Sequence, residues 1–167
     1  GALHPRIIYK FLQLQDHAVL NYFPDYEGFY TWFTRQCRTL EEFVKIHTLV
    51  EELQSAKHLP YFCKRLCRGA YTFENLQYLE LRYNPYFRTD HSQTPERRVE
   101  LMQEIIEIIT ANVRPADYPI TVKQILCLDR RLPQHLNEAI LKVAKDNLGP
   151  VVGIDLAGPE IDPEKYE

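Results

Sequence analysis

From residue 76 onward the chain alternates between strand-like and helix-like patterns, and this alternation limits the possible folds more than any other feature. Apolar runs in residues 76–83, 120–128 and 151–156 each predict a strand. Amphipathic segments between them predict two helices, the first capped by Thr94 with a proline directly after it. A β-α-β-α-β run implies parallel strands joined by right-handed crossovers. Two architectures satisfy it, the closed eightfold barrel and the open doubly wound sheet.

The first strand pattern, in residues 76–83, alternates with a period of two. One side carries Leu79, Leu81 and Tyr83, and the other carries Tyr78, Glu80 and Arg82. A half-exposed antiparallel strand explains this alternation. A barrel strand also explains it, with the apolar side against helices while Glu80 and Arg82 face the barrel axis.

The third strand pattern ends in Val-Gly-Ile-Asp-Leu-Ala-Gly-Pro-Glu, residues 152–160. Its apolar run predicts a strand that is buried on both faces. Asp155 lies inside that run, where an unpaired charge would be costly, and Gly158 follows without a side chain to hold a ligand away. The carboxyl end of such a strand is where α/β folds bind ligands. The alternative is a core acid held by hydrogen bonds and a glycine that the turn requires.

Residues 1–75 carry helical patterns only. Pro5 suits a first helical turn, and Thr39 with Glu42 forms a capping box that opens a second amphipathic stretch. A further helix is predicted from about Leu59 onward.

An aromatic cluster lies in the predicted helix that follows Pro24. It includes Tyr26, Phe29, Tyr30 and Phe33. Aromatic residues at one-turn spacing are typical of a core helix, but rings beside a loop also line ligand pockets. The pattern alone does not choose between the two.

Length and composition indicate one globular segment over residues 1–167. Apolar residues make up 45% of the chain, charged residues 26%, and the net charge is −3, so no nucleic-acid or membrane partner is expected. The sequence shows no membrane-spanning apolar run and no signal-peptide pattern, and a cytoplasmic location is predicted. Cys63 and Cys67 are spaced four apart on a helical pattern and are predicted to be reduced core residues.

Motifs for several common chemistries are absent from the sequence. The six histidines are scattered, without H-x-H or H-E-x-x-H, so no metal-ligand set is predicted within this chain. No glycine-rich dinucleotide or phosphate-binding motif follows any predicted strand. Asp129 stands beside Arg130 and Arg131 and is predicted to form a structural ion pair.

Four stretches together resemble the adenosine deaminase family, zinc-dependent purine aminohydrolases built on a (β/α)8 barrel. Residues 78–85, Tyr-Leu-Glu-Leu-Arg-Tyr-Asn-Pro, resemble the end of that family's second strand, and residues 122–131 resemble its third. Residues 151–160 resemble the fourth, where the family reads V-x-x-[IM]-D-L-A-G-[DN]-E. Residues 1–5 fit the position directly after the family's H-x-H-L-D zinc motif.

The resemblance implies an α/β fold, a partial (β/α)8 TIM barrel with strands two to four. A helical region over residues 1–75 would precede a β-α-β-α-β region over residues 76–160. The zinc-binding histidines, the acid–base glutamate of an H-A-G-E motif and the later aspartates have no counterpart in this sequence. No catalytic and no metal-binding residue is therefore expected in this chain.

The resemblance also implies how a purine would be bound. Gly158 matches the glycine whose backbone N–H donates to the purine ring. The aromatic residues Tyr26, Phe29, Tyr30 and Phe33 are similar to the helix that lines the apolar side of the purine pocket. Asp155 is expected to be a buried supporting group.

For the complete protein, the resemblance implies zinc as cofactor and a purine nucleoside as small-molecule partner. The reaction would be hydrolytic deamination of adenosine or deoxyadenosine to inosine or deoxyinosine, with release of ammonia. Two departures bear on the substrate: Pro159 replaces the family's usual acid, and residues 129–131, Asp-Arg-Arg, resemble the branch acting on N6-substituted purine nucleotides. Residues 82–85 favour the adenosine branch.

Alone, this chain is predicted to be inactive, because it lacks the metal ligands and the acid–base groups. It is also predicted to be poorly soluble, because half a barrel leaves unpaired sheet edges. One alternative is a non-catalytic remnant that binds nucleosides. Another is an unrelated open α/β sheet.

Overall fold

The computed structural model describes residues 3–23, 25–113 and 118–158. The chain divides into two compact units, Gly1–Gln54 and Ser55–Glu167. The helical region predicted for residues 1–75 is therefore divided between them. Among the described residues, no helix combines the length and the apolar character needed to cross a bilayer.

The first unit is helical. Its elements are α1 (Pro5–Leu14), a 3₁₀ turn (Ala18–Tyr22), α2 (Tyr26–Phe33) and α3 (Leu40–Leu53). Pro5 occupies the start of α1, and the Thr39 hydroxyl at the start of α3 accepts from the Glu42 N–H at 3.2 Å. The Glu42 carboxylate accepts in return from the Arg38 N–H at 2.8 Å, so Thr39 caps α3 as predicted, but the return bond of the predicted capping box reaches the residue before the cap.

The second unit alternates helices and strands. Its elements are α4 (Leu59–Thr72), β1 (Tyr78–Tyr83), a 3₁₀ turn (Tyr86–Arg88), α5 (Pro95–Asn112), β2 (Thr121–Asp129), α6 (Gln134–Asp146) and β3 (Val151–Ala157). The three strands form one parallel sheet in the order β1-β2-β3. The predicted β-α-β-α-β run with parallel pairing is confirmed.

Parallel pairing decides between the two interpretations of the first strand. Leu79, Leu81 and Tyr83 pack with the core formed by the helices, while Glu80 and Arg82 lie on the opposite face. The antiparallel interpretation is wrong, because β1 pairs with β2 in parallel over its whole length. The barrel-type strand is the one observed.

The core of the second unit lies between the sheet and α4, α5 and α6. Its fully buried members include Cys67, Met102, Ile106, Leu126 and Ile140. Cys63 and Cys67 are free thiols on the buried face of α4, as predicted, and burial raises the pKa of Cys63 to about 12.

A short chain of polar side chains lies beneath the sheet. The Tyr83 hydroxyl donates to the Gln124 Oε1 at 2.5 Å, and the Gln124 Nε2 donates to the Thr110 hydroxyl at 2.7 Å. Burial raises the pKa of Tyr83, so this hydroxyl stays protonated and remains a donor. The chain of bonds connects β1, β2 and α5 and satisfies the buried amide.

The prediction that the third strand is buried on both faces is wrong. Val151 is buried, but Val152, Ile154 and Leu156 are all exposed, Ile154 by 54%. In the described part of the chain β3 pairs with β2 alone. A continuous apolar run therefore shows which side chains of a strand are suited to burial, but it does not show which of them are buried in this structure.

Candidate functional site

The carboxyl ends of the three parallel strands lie at one edge of the sheet. Asp129, the last residue of β2, is in register with Ala157 on β3. β1 ends earlier, with Tyr83 opposite Leu126, and the chain then turns at Asn84. The Asn84 amide donates to the Cys127 carbonyl at 2.8 Å, which links the end of β1 to β2. This edge is the position at which parallel α/β folds place their ligands.

Asp129 is held by Arg131 in a three-bond arrangement. Its Oδ1 accepts from the Arg131 backbone N–H and from Nε, each at 2.8 Å, and its Oδ2 accepts from Nη2 at 2.7 Å. The carboxylate is only 6% exposed. Burial alone would raise its pKa, but the hydrogen bonds from Arg131 outweigh burial and hold the pKa below its usual value. Asp129 forms the predicted structural ion pair.

Gly158 lies in a turn that only glycine accommodates without strain. Its φ is +95°, a region that side-chain-bearing residues rarely adopt. A Cβ at this position would lie 2.8 Å from the Asp129 Oδ1 and 3.0 Å from the Arg130 backbone nitrogen. The turn therefore requires glycine for its own geometry. The role of Gly158 in binding a purine stays a prediction.

Arg130 contacts both peptide groups beside Gly158. Its backbone N–H donates to the Ala157 carbonyl at 2.9 Å, which continues the sheet ladder past Asp129. Its guanidinium Nη1 donates to the Gly158 carbonyl at 3.1 Å. The sequence does not predict this contact, because it joins the side chain of Arg130 to the backbone of Gly158, 28 residues away.

Asp155 forms an ion pair with Arg82 on the face of the sheet opposite the helices. The Arg82 guanidinium donates to the Asp155 Oδ2, and the Leu156 N–H donates to Oδ1 at 2.8 Å. These bonds, the one from Arg82 first, hold the pKa of Asp155 below its usual value. The expectation that Asp155 is buried is wrong, since its side chain is 40% exposed. Arg82 supplies the counter-charge for this partly exposed carboxylate.

In the sequence Arg82 and Asp155 belong to two separate strand patterns, and nothing there pairs them. The register shows why they meet: Arg82 is opposite Ile125, and Asp155 is opposite Cys127 two residues along the same strand. Alternation puts all of these positions on one face. The sequence signal for this pair was the arginine on the polar side of β1 together with the carboxylate inside β3.

The aromatic residues predicted to line a pocket all lie on α2 in the first unit. Phe29 is fully buried, with ring-centroid distances of 5.3 Å to Tyr9, 5.5 Å to Phe23 and 5.5 Å to Phe33. Tyr30 is exposed, while Tyr26 and Phe33 are partly buried. Phe29 thus packs in the way expected of a core residue. Pocket lining by Tyr26, Phe29, Tyr30 and Phe33 remains a prediction.

Metal centres in proteins are built from clustered histidine, cysteine, aspartate and glutamate side chains. Within residues 3–23, 25–113 and 118–158, no group of three or more of these residues could hold a metal ion. The residues present do not fit the zinc centre that the resemblance implies. Pro159, the departure from the family pattern, lies outside the described residues.

No model of a known protein family matches the chain. The chain is 29% identical over 133 residues to an adenosine deaminase from Clostridium perfringens, an alignment covering 77% of this chain and 37% of that protein. It is 28% identical over 130 residues to an adenosine deaminase from Xenopus laevis, covering 68% of this chain and 36% of that protein. The chain thus spans less than half the length of these relatives.

Solved structures share the fold. An adenine deaminase from Arthrobacter aurescens superposes with a TM-score of 0.65 at 16% identity, covering 96% of this chain and 46% of that one. A zinc-bound amidohydrolase from Burkholderia ambifaria gives 0.64 at 19%, covering 98% and 43%. The N6-methyl-AMP deaminase from Arabidopsis thaliana gives 0.62 at 19%, covering 94% and 44%.

The fold and the strand-end edge define this chain as a partial (β/α)8 barrel. The resemblance to the adenosine deaminase family is confirmed by relatives of that name over most of the chain.

Proposed function

We propose that this chain is part of an adenosine deaminase-like enzyme. The complete protein would hydrolyse adenosine and deoxyadenosine to inosine and deoxyinosine, with release of ammonia. One observation carries the proposal: the family's fourth-strand pattern ends here in a turn whose geometry demands glycine at position 158, at the ligand-binding edge of a parallel sheet. The similarity to adenosine deaminases from two organisms supports it.

The chain's own contribution in this proposal is substrate binding. Gly158 would donate its backbone N–H to the purine ring, and the aromatic residues of α2 would border the apolar side of the purine. Hydrolysis replaces the amino group on the purine ring by oxygen from water. Zinc, a cofactor that can lower the pKa of bound water, and the acid–base groups would come from other parts of the complete protein. The chain alone is accordingly proposed to be inactive.

A second substrate class is favoured by one feature of this chain. Arg130 places a guanidinium within hydrogen-bond distance of the Gly158 carbonyl, while Arg131 is engaged by Asp129. A cation at this edge of the sheet suits a substrate that carries a phosphate. An N6-substituted purine nucleotide is therefore the alternative substrate of the same hydrolytic reaction.

Ammonia release by the complete protein tests the proposal. Adenosine, deoxyadenosine and N6-methyl-AMP would be supplied separately, with ammonia or methylamine measured, and residues 1–167 alone would serve as the matched control. Turnover of the first two substrates supports the adenosine branch, and turnover of N6-methyl-AMP alone supports the nucleotide branch. Purine binding without release of any amine would leave a non-catalytic nucleoside-binding protein.

A further inference from the structure

The backbone of β3 presents hydrogen-bonding groups along the edge that faces away from β2. The Ala157 carbonyl accepts from the Arg130 N–H, so the backbone groups of Ala157 point toward β2. Successive residues of a strand direct these groups to opposite sides, and the N–H and C=O groups of Ile154 and Leu156 therefore point away from β2. Among the residues that the structure describes, β3 pairs with β2 alone. Such an edge is a template for a further strand.

The apolar side chains at this edge lie on the helix side of the sheet. Ile154 is in register with Leu126, which belongs to the core. Leu156 is in register with Leu128, which packs against the core. The side chains of Val152, Ile154 and Leu156 are nonetheless 48–54% exposed. In parallel sheets such side chains are normally covered by the helices that connect the strands, so this edge offers contacts for a helix as well as for a strand.

Asp155 limits how far along this edge a strand can pair. Its Oδ1 accepts from the Leu156 N–H at 2.8 Å, and its Oδ2 accepts from the Arg82 guanidinium on β1. The donor that a neighbouring strand would need at Leu156 is thus already engaged, by a carboxylate that Arg82 holds from two strands away.

We propose that Asp155 ends strand pairing on the outer edge of β3, so that a further parallel strand of the complete protein, followed by its helix, pairs beside Ile154 and separates at Leu156. The inference rests on the proposed function for the existence of that complete protein. The chain spans 37% of the Clostridium perfringens deaminase, so a protein of that length has further chain to place beside β3. Separation at Leu156 would open a gap between the two strands at their carboxyl ends, where parallel α/β folds bind ligands.

Amide hydrogen exchange of the complete protein, measured by mass spectrometry with residue-resolved fragmentation, tests the extent of pairing. The Ile154 and Leu156 amides are both expected to be protected, the first by the added strand and the second by Asp155. Asp155→Ala should speed exchange at Leu156 by at least about tenfold and leave Ile154 unchanged. Glu80→Ala, which removes another carboxylate from the same face of the sheet, is the control and should change neither amide.

Two results of this experiment would overturn the inference. Continued protection of Leu156 in Asp155→Ala would show that the neighbouring strand pairs at that position. Fast exchange of Ile154 in the unsubstituted protein would show that no strand pairs with this edge.

Thiol labelling is a second measurement, which does not depend on substituting Asp155. A maleimide is applied to the complete protein carrying Ile154→Cys, and the masses of its peptides identify the labelled site. Leu148→Cys is the matched control, because Leu148 is 77% exposed between α6 and β3. The thiol at position 154 should react at least about tenfold more slowly than the thiol at position 148, at two protein concentrations about tenfold apart.

The labelling outcomes separate the possible occupants of this face. Equal labelling of the two variants would show that nothing covers the face and would overturn the inference. Protection that appears only at the higher concentration would assign the face to a second copy of the protein, which overturns it as well. Ammonia release from the same sample distinguishes the two proposals: protection without ammonia release leaves the strand interface standing and the proposed function wrong, and ammonia release with a freely labelled position 154 does the reverse.

Discussion

The two faces of the three-stranded sheet differ in what holds them. Facing the helices, Leu126, Ile106 and Ile140 are fully buried, and the buried amide of Gln124 is satisfied by Tyr83 and Thr110. On the other face the prominent interaction is the Arg82–Asp155 ion pair, with both side chains well exposed. Apolar burial therefore stabilises one face, whereas the other carries polar contacts that mainly orient side chains and strand ends.

This difference between the faces indicates where a substitution should change the free energy of unfolding and where it should mainly change the orientation of side chains. Exposed ion pairs contribute little free energy because water screens them and because ordering two long side chains has an entropic cost. Buried apolar groups and buried charges with a full set of hydrogen bonds contribute much more. The strand-end edge combines both, since Asp129 is buried and bonded while Gly158 is constrained by geometry.

The largest effect is expected on the helix face. Ile140→Ala in α6 should lower the free energy of unfolding of the complete protein by about 2–5 kcal/mol, because it leaves a cavity beneath β2. Urea denaturation followed by circular dichroism measures this loss. Lys142→Ala, on the exposed side of the same helix, is the control and should change stability very little. Similar losses in both variants would contradict the difference between the faces.

The next effect is expected at the strand-end edge. Gly158→Ala should lower the free energy of unfolding by about 2–3 kcal/mol, because alanine is strained at a positive φ and its methyl group would press on Asp129. Thermal unfolding of the complete protein measures the shift. Gly149→Ala is the matched control, since a Cβ there meets no heavy atom within 4 Å. If Gly158→Ala left the free energy of unfolding unchanged, the turn would be able to relax around the added methyl group.

Asp129 makes this edge sensitive to acid. Because the pKa of Asp129 is lower in the folded protein, its stabilisation is present above the unfolded pKa of about 3.9 and is lost as pH falls through the folded value. Asp129→Asn should therefore cost about 1–3 kcal/mol at pH 7, and the difference from the unsubstituted protein should shrink below about pH 4. Urea titrations at pH 7, 5 and 3 measure this.

A second variant tests whether the pH dependence of stability comes from the Asp129–Arg131 ion pair. Arg131→Met removes the partner and leaves Asp129 buried without it, so this variant too should be destabilised at pH 7 and should approach the unsubstituted protein at pH 3. A constant difference at all three pH values, in either variant, would show that the carboxylate is not the source of the stability.

The smallest effect on stability is expected from removing one hydroxyl on β1, whose two faces each carry a tyrosine. Tyr83→Phe should lower the free energy of unfolding by about 1–2 kcal/mol, because it leaves the Gln124 oxygen buried without its donor. Tyr78→Phe removes a hydroxyl that donates to Glu80 at 2.9 Å on the exposed face and should have no measurable effect. Chemical denaturation of both variants gives the comparison directly. Equal losses would mean that burial does not distinguish the two hydroxyls.

Much of the fold follows from local pattern. The caps at Thr39 and Thr94 and the buried cysteine face of α4 were all predicted and are all observed. These features depend on residues three or four apart in sequence, so the pattern contains the interaction itself. The parallel order of strands followed in the same way from their alternation with helices.

The site was only partly predictable. The glycine at position 158 and the ion pair of Asp129 were recognised from the sequence, but the burial of Asp155 was predicted wrongly. The pairing of Asp155 with Arg82 and the contacts of Arg130 join positions 73 and 28 residues apart. Such contacts depend on strand register and on the twist of the sheet, which single-sequence patterns do not contain.

The sequence by itself determined the order of elements, their caps, the apolar face of each helix and the family resemblance, because these are carried by neighbouring residues. Only the tertiary structure decided that Asp155 is paired and exposed, that part of β3 is uncovered, and that Asp129 and Arg130 enclose Gly158. The physical reason is that burial, counter-charge and backbone strain depend on distant residues that meet in space. Local preference places a glycine in a turn, but the carboxylate packed 2.8 Å from its missing side chain makes glycine necessary there.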